Sequence, residues 1–175
     1  STQDYNITLN GGSDKIQSMF TMGYFKEEGA VKGYDLSRYS TRIKVIYKPY
    51  EWLSIKPNLS GSRTTDKDRQ YSVGAMYSML PWDNPYDENG NPVPNYYSGW
   101  VNSKATNYLN DLAAGNYSSS CSYDLSGGFD FDVKITPWLT FSSVNNYSYY
   151  NSQTHGYTDP KSSGGEGVDG RITEY

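Results

Sequence analysis

Cysteine and histidine each occur only once in the 175 residues, as Cys121 and His155. A single cysteine excludes an intrachain disulfide, and with it the disulfide-stapled class of small secreted domains. Cys121, near a strand start, reads as an unpaired residue rather than a nucleophile. His155 stands among Thr, Gly and Tyr with no ligand-type neighbour, so no metal or general-base motif forms around it. No apolar run reaches the roughly 18 residues of a membrane-spanning helix, so no such helix is encoded. Basic clusters are missing too: 15 Lys and Arg are interspersed with 19 Asp and Glu for a net charge of −4, which excludes nucleic-acid binding as the expected role. Ser1-Thr2-Gln3-Asp4 has neither the basic region nor the apolar core of a signal peptide. For an exported protein this is expected of a mature, trimmed or partial chain, and partial is the better reading because Arg171-Ile172-Thr173-Glu174-Tyr175 ends without a closing turn.

Hydrophobic residues are also scarce, at 35%, yet aromatic residues reach 16% and 19 of them are Tyr. Disordered chains are poor in aromatics, so low hydrophobicity here does not mean disorder. Helical apolar spacing is confined to a short patch around residues 109–114. Alternation with period two recurs instead and predicts six strands. The first carries Tyr5, Ile7 and Leu9 on one face and ends at the turn Gly11-Gly12-Ser13-Asp14. The second covers 16–25, with Phe20, Met22 and Tyr24 on its apolar face, and a loop over 26–37 follows. The third places Tyr39, Ile43, Val45 and Tyr47 opposite Ser40, Arg42, Lys44 and Lys48, and turns at Pro49-Tyr50-Glu51. The fourth covers 52–63, with Leu53, Ile55 and Leu59 together. The interval 64–122, rich in Asn, Pro, Tyr and Gly, reads as one large loop. The fifth strand sets Tyr123, Leu125, Phe129, Phe131, Val133 and Ile135 against Asp124, Ser126, Asp130, Asp132 and Lys134. It turns at Thr136-Pro137 into a sixth over 138–152, and 154–175 reads as a further loop. The expected organisation is therefore strands 1–4 in residues 1–63, a large external loop in 64–122, strands 5–6 in 123–153, and a loop or tail in 154–175. One hairpin design is used twice: Val45-Ile46-Tyr47-Lys48-Pro49-Tyr50-Glu51-Trp52-Leu53-Ser54-Ile55 resembles Val133-Lys134-Ile135-Thr136-Pro137-Trp138-Leu139-Thr140-Phe141.

An all-β, antiparallel transmembrane barrel segment is the expected fold class, against a soluble β-sandwich. Strands of roughly ten to fifteen residues exceed the roughly five or six usual in soluble proteins, and a tilted strand needs about 9–11 to cross a bilayer. The connections alternate short and long, as periplasmic turns and extracellular loops do. Aromatics gather at strand ends, where interfacial girdles belong: Tyr47, Tyr50, Trp52 and Trp138 at one, Tyr24, Phe25, Tyr39, Tyr147 and Tyr149 at the other. Arg42, Lys44, Asp130 and Asp132 would then face a wet lumen.

The ordered set Asn10-Gly11-Gly12-Ser13-Asp14-Lys15, Met22-Gly23-Tyr24-Phe25-Lys26-Glu27-Glu28-Gly29, Ser37-Arg38-Tyr39-Ser40-Thr41-Arg42, the Trp52-Leu53 turn and Pro85-Tyr86-Asp87-Glu88-Asn89-Gly90-Asn91 resembles the SusC/RagA family of TonB-linked outer-membrane transporters. The resemblance implies a larger protein with a barrel of about 22 strands, a plug domain and a TonB-contacting segment, neither of which is in this chain. It also implies a SusD-like surface lipoprotein as lid, contact with outer-membrane lipid, and import of glycans or oligopeptides in a Gram-negative, Bacteroidetes-like outer membrane. No catalytic residue, cofactor or metal is implied.

Within 64–122, Trp82 and Trp100 are the first candidates for substrate contact, joined by Tyr86, Tyr96, Tyr97 and Asp83. Flat aromatic walls beside a few polar groups suit sugar rings. The competing reading packs these rings onto the loop itself or against the lid. Asp87-Glu88-Asn89-Gly90-Asn91 lacks the ligand spacing of an EF-hand calcium loop and reads as a β-turn. Asp130 and Asp132 have no nucleophile or acid/base partner nearby in sequence and read as lumen-facing acids rather than a catalytic pair. Gly164-Gly165-Glu166-Gly167 lacks the strand–helix context of a phosphate loop. The alternative to a transporter is a soluble β-rich carbohydrate-binding or adhesion module.

Overall fold

The computed structural model describes residues 1–30, 33–68, 71, 73–163 and 171–174. Eight strand segments form one antiparallel sheet: β1 (Thr2–Gly12), β2 (Ile16–Glu28), β3 (Asp35–Tyr50), β4 (Leu53–Asp68), β5 (Tyr117–Thr136), β6 (Leu139–Ser143), β7 (Asn146–Thr158) and β8 (Arg171–Glu174). Their spatial order is β1-β2-β3-β4-β5-β7-β8, with β6 also paired to β5, and the sheet is open among the described residues. Two short helices, α1 (Val73–Ser78) and α2 (Tyr108–Ala113), interrupt the long interval between β4 and β5. The chain divides into two compact units. One holds Ser1–Glu28, Asp35–Asp66 and Cys121–Ser152; the other holds Gly29–Tyr34, Lys67–Ser120 and Gln153–Tyr175.

Register fixes the two faces of the sheet, because directly opposed residues in antiparallel strands share a face. Leu9 opposes Phe20, which opposes Ile43; Tyr5 opposes Tyr24, which opposes Tyr39. The rings of the tyrosine row lie 6.4 and 4.9 Å apart. One position along, Thr8, Thr21 and Arg42 make a polar row, and Asn10, Met19 and Lys44 the next. On that polar face Gly23 leaves room for its neighbours: a Cβ there would lie 2.6 Å from Asn6 Oδ1 and 2.7 Å from Ser40 Oγ.

The apolar face is uncovered. Tyr5, Ile7 and Leu9 are 61–62% exposed, and Ile43, Leu125, Phe129 and Phe141 are exposed as well. Among the described residues the buried hydrophobic side chains are Ala75, Val93, Trp100 and Ala105, all in the second unit. No described element of the first unit packs on this face.

Several boundaries differ from the alternation pattern. β2 runs to Glu28 and β3 begins at Asp35, so the loop expected over 26–37 shrinks to 29–34. β4 continues to Asp68 and β5 begins at Tyr117, trimming the expected 64–122 at both ends. Backbone pairing does not require alternating side chains, and these strand ends are polar on both faces. The sixth expected strand is broken at Val144-Asn145, where Phe129 N–H donates to Asn145 O at 2.8 Å and Asn145 Nδ2 donates to Phe129 O at 3.1 Å. The tail expected to be loop from 154 is partly strand: β7 reaches Thr158, and β8 returns to pair with it from His155↔Glu174 to Thr158↔Arg171. Gly164-Gly165-Glu166-Gly167 lies outside the described residues. Helix α2 coincides with the helical patch seen in sequence, whereas α1 had no signal.

Candidate functional site

The polar face of the sheet gathers Arg42, Lys44, Asp130 and Asp132, as the alternation predicted. Lys44 and Asp130 line one hollow of about 860 Å³ with Lys56 and Asn58. Arg42 lines a smaller one of about 260 Å³ with Ser60, Ser62 and Asp124. Lys56, which sequence reading did not single out, is the hub of this face: its Nζ donates to Asp132 Oδ2 at 2.7 Å. Both side chains of that pair are a third or more exposed, so it marks a wet surface more than it stabilises the fold. Asp132 is thereby engaged as an ion-pair partner, and Ser142 stands directly opposite it in the β5–β6 register. Cys121 lies in β5, where Thr65 Oγ1 approaches its sulfur at 3.8 Å.

The second site lies in the interval between β4 and β5. Its framework is polar. Asn107 is fully buried and caps α2 with Oδ1, which accepts from Leu109 N–H at 3.1 Å. Asn is a favoured N-cap because its side chain satisfies an amide the helix cannot. The same side chain donates through Nδ2 to Pro85 O at 3.0 Å and Val93 O at 2.8 Å. Asn95 Oδ1 accepts from Asn107 N–H at 2.6 Å, and Asn95 Nδ2 donates to Asp111 Oδ1 at 3.2 Å. Asp111 in turn accepts from Ser163 N–H at 2.7 Å and from the Ser163 hydroxyl. A loop without a regular ladder must satisfy its backbone groups by side chains, which is what these asparagines do.

On this frame a cleft of about 600 Å³ opens, lined by Trp82, Asp83, Tyr86, Tyr97 and Trp100 together with Asp87 and Glu88. Five of the six residues expected in sequence to touch substrate thus meet in one place. Tyr96 does not line it: the residue holds a left-handed φ of 57° and donates its N–H to Ala105 O at 3.1 Å. Trp82 is 70% exposed, while Tyr86 and Tyr97 are exposed at 44% and 42%. Trp100 is only 5% exposed; it packs with Val93, Ala105 and Met79 and donates its indole N–H to Asn84 O at 2.8 Å. For Trp100 the loop-packing reading therefore prevails over the ligand-contact one, and the ring meets Tyr97 edge-on at 6.2 Å. Asp83 is likewise buried, accepting from Val101 N–H at 3.0 Å and Asn102 N–H at 3.4 Å. It is a clasp that shapes the cleft wall. Asn84, Asn95, Asn107 and Asp111 are the contributors missed in sequence; the signal available was Asn107 immediately before a short apolar helix.

Asp87-Glu88-Asn89-Gly90-Asn91 forms a tight turn at the cleft rim, as expected. Asp87 Oδ1 accepts from Asn89 N–H at 2.9 Å and Asn91 N–H at 2.8 Å, and Gly90 takes φ +81°, where a side chain would be strained. Among the described residues no group of three or more His, Cys, Asp and Glu is placed to hold a metal ion. The Asn91 amide, followed by the Asn91 side chain and the Asn89 amide, holds the Asp87 carboxyl below its ordinary value of 3.8. A depressed pKa stabilises the turn fully above the ordinary value, and that contribution is lost as pH falls through the lowered one. Amide exchange at Asn89 and Asn91, taken relative to the unstructured rate at each pH, should therefore stay slow at neutral and mildly acidic pH and quicken only below pH about 4. Asp87→Ala should quicken it already at pH 7.

No family model matches the sequence, and no curated protein matches it. Solved structures do. A chain of the RagAB peptide importer in its open-open state superposes with a TM-score of 0.76 at 23% identity, covering 99% of this chain and 20% of that one. The closed-closed state gives 0.72 at 23% identity over 93% of this chain and 19% of that one. A structure of the RagAB peptide transporter gives 0.72 at 24% identity with the same coverages. This chain spans about a fifth of the length of those chains, and what it shares with them is the fold.

Proposed function

We propose that this chain is a stretch of wall from a TonB-dependent outer-membrane barrel transporter, with the cleft-bearing segment as an external substrate-binding loop. The observation that carries the reading is the uncovered apolar face, Tyr5, Ile7 and Leu9 with Phe20, Ile43 and Leu125, beside a polar face bearing Arg42, Lys44, Lys56, Asp130 and Asp132. Lipid suits the first face and a water-filled lumen the second. The long strands and the alternation of short connections (13–15, 51–52, 137–138) with long ones (29–34, 69–116) agree with periplasmic turns and outer loops. Tyr50 and Trp52 stack at 5.3 Å beside one short turn, and Trp138, at another, is 81% exposed; such rings fit headgroup depth.

The cargo on this reading is an oligopeptide or a glycan, delivered with a SusD-like surface lipoprotein and driven by TonB through parts of the protein outside this chain. The likeness to a peptide importer supports the oligopeptide class. The wall and loop do no chemistry of their own and use neither cofactor nor metal. In fractionation of the full-length gene product, the protein should stay in the outer-membrane pellet and need detergent for release; recovery in the aqueous fraction would favour the soluble adhesion module. For the loop, Trp82→Ala should weaken ligand binding by about tenfold and leave the loop folded. Trp100→Ala should instead loosen the loop, read as faster amide exchange over residues 79–105. Equal ligand affinity in the wild type and Trp82→Ala would remove Trp82 from the site.

A further inference from the structure

The cleft that the proposed function treats as the external binding site has formal charges of one sign only. Its walls contribute Asp83, Asp87 and Glu88, and none of its lining residues is Lys, Arg or His. The surrounding segment follows suit: from Tyr71 to Tyr117 the sequence carries Asp83, Asp87, Glu88 and Asp111 against the single base Lys104. The three cleft carboxylates are not equivalent. Those of Asp83 and Asp87 accept backbone N–H groups that hold them in place without cancelling their charge. Glu88 is exposed on the rim, and among the described residues no such anchor reaches it, so its carboxylate can meet an incoming group. Beside it stands Trp82, 70% exposed, whose indole face attracts cations as well as apolar surface. Lys104 is not among the groups that face into the hollow.

Resting on the binding-loop reading, we infer that this cleft selects a ligand carrying a protonated amine, which Glu88 pairs at the rim while Trp82 and Tyr86 cover the adjoining apolar surface. The long-range field of Asp83 and Asp87 adds to the attraction, and the same field disfavours acidic ligands. An ammonium of this kind can come from a basic oligopeptide or from an amino sugar.

The experiment uses the full-length protein in detergent and two matched probe series. The peptide arm is Ac-Ala-Tyr-X-Ala-NH2 with X as Lys, Gln or Glu. The sugar arm is a glucosamine trimer against its N-acetylated form. Calorimetry should order the peptides Lys over Gln over Glu, or the glucosamine trimer over the N-acetylated one, and the arm that shows the preference identifies the source. Glu88→Gln should weaken the charged probe by about threefold, in line with an exposed ion pair, and leave the neutral probes within about twofold. The preference should also shrink as salt is raised. Trp82→Ala should weaken charged and neutral probes alike. If neutral probes bind and depend on Trp82 but no charge preference appears, the amine inference is overturned while the binding loop stands. If no probe binds in either arm, both are overturned.

Discussion

Arginine at position 43 should destabilise the protein in the membrane by about 2–4 kcal/mol. Ile43 lies midway along β3, opposite Phe20 on the apolar face, and its chain neighbours Arg42 and Lys44 are already charged. A strand that tolerates charge at 42 and 44 but not at 43 is one whose two faces meet different solvents, since successive side chains point to opposite sides. The control is Ser62→Arg on β4, which lines the polar hollow beside Asp124 and should cost little. Urea unfolding of the full-length protein in lipid vesicles reads both. Equal midpoints for the two variants would contradict the assignment of faces.

The second large effect is expected at Asn107. Asn107→Ala removes the α2 cap and both side-chain N–H donors that strap Pro85 and Val93, taking the donor from the Val93 carbonyl and leaving the Pro85 carbonyl with the Val93 N–H alone. That combination should cost about 3 kcal/mol of local stability. Because the strapped segments carry the cleft walls, ligand binding should fall with it. Asn107→Asp should fare no better: it keeps an acceptor for the cap but turns a carboxylate toward two carbonyl oxygens. Limited proteolysis should cut the variant within residues 79–111 while the strands resist. Loss of the sheet together with the loop would mean that Asn107 supports more than its own unit.

What was legible in sequence followed from period two. Leu9, Phe20 and Ile43 share a face because each sits in an alternating run, and Arg42, Lys44, Asp130 and Asp132 fell on the other by the same parity. Strand ends were hidden where both faces turn polar: Lys26, Glu27 and Glu28 show no alternation, yet all three pair with β3, and Lys26 and Glu27 also with β1, through the backbone. β8 is four residues long, too short for any period to register. In the loop, residue type placed aromatics and carboxylates together but not which way they face. Trp82 and Trp100 look alike in sequence. The difference lies in the Asn84 carbonyl that receives the Trp100 indole N–H, a backbone acceptor with no sequence signature. Asn95 and Asn107 fall in the interval read as one large loop, where Asn is common; their role as a buried frame depends on the chain returning to meet them.

The central claim is that this sheet separates lipid from water, and a nitroxide scan along β3 of the full-length protein in liposomes tests it most directly. Labels placed singly from position 39 to 47 should show collision with oxygen, which partitions into lipid, peaking at 39, 41, 43, 45 and 47. Collision with a water-soluble nickel chelate should peak at 40, 42, 44 and 46. A scan in which the odd positions meet the nickel chelate as readily as the even ones, or meet neither reagent, would contradict the account.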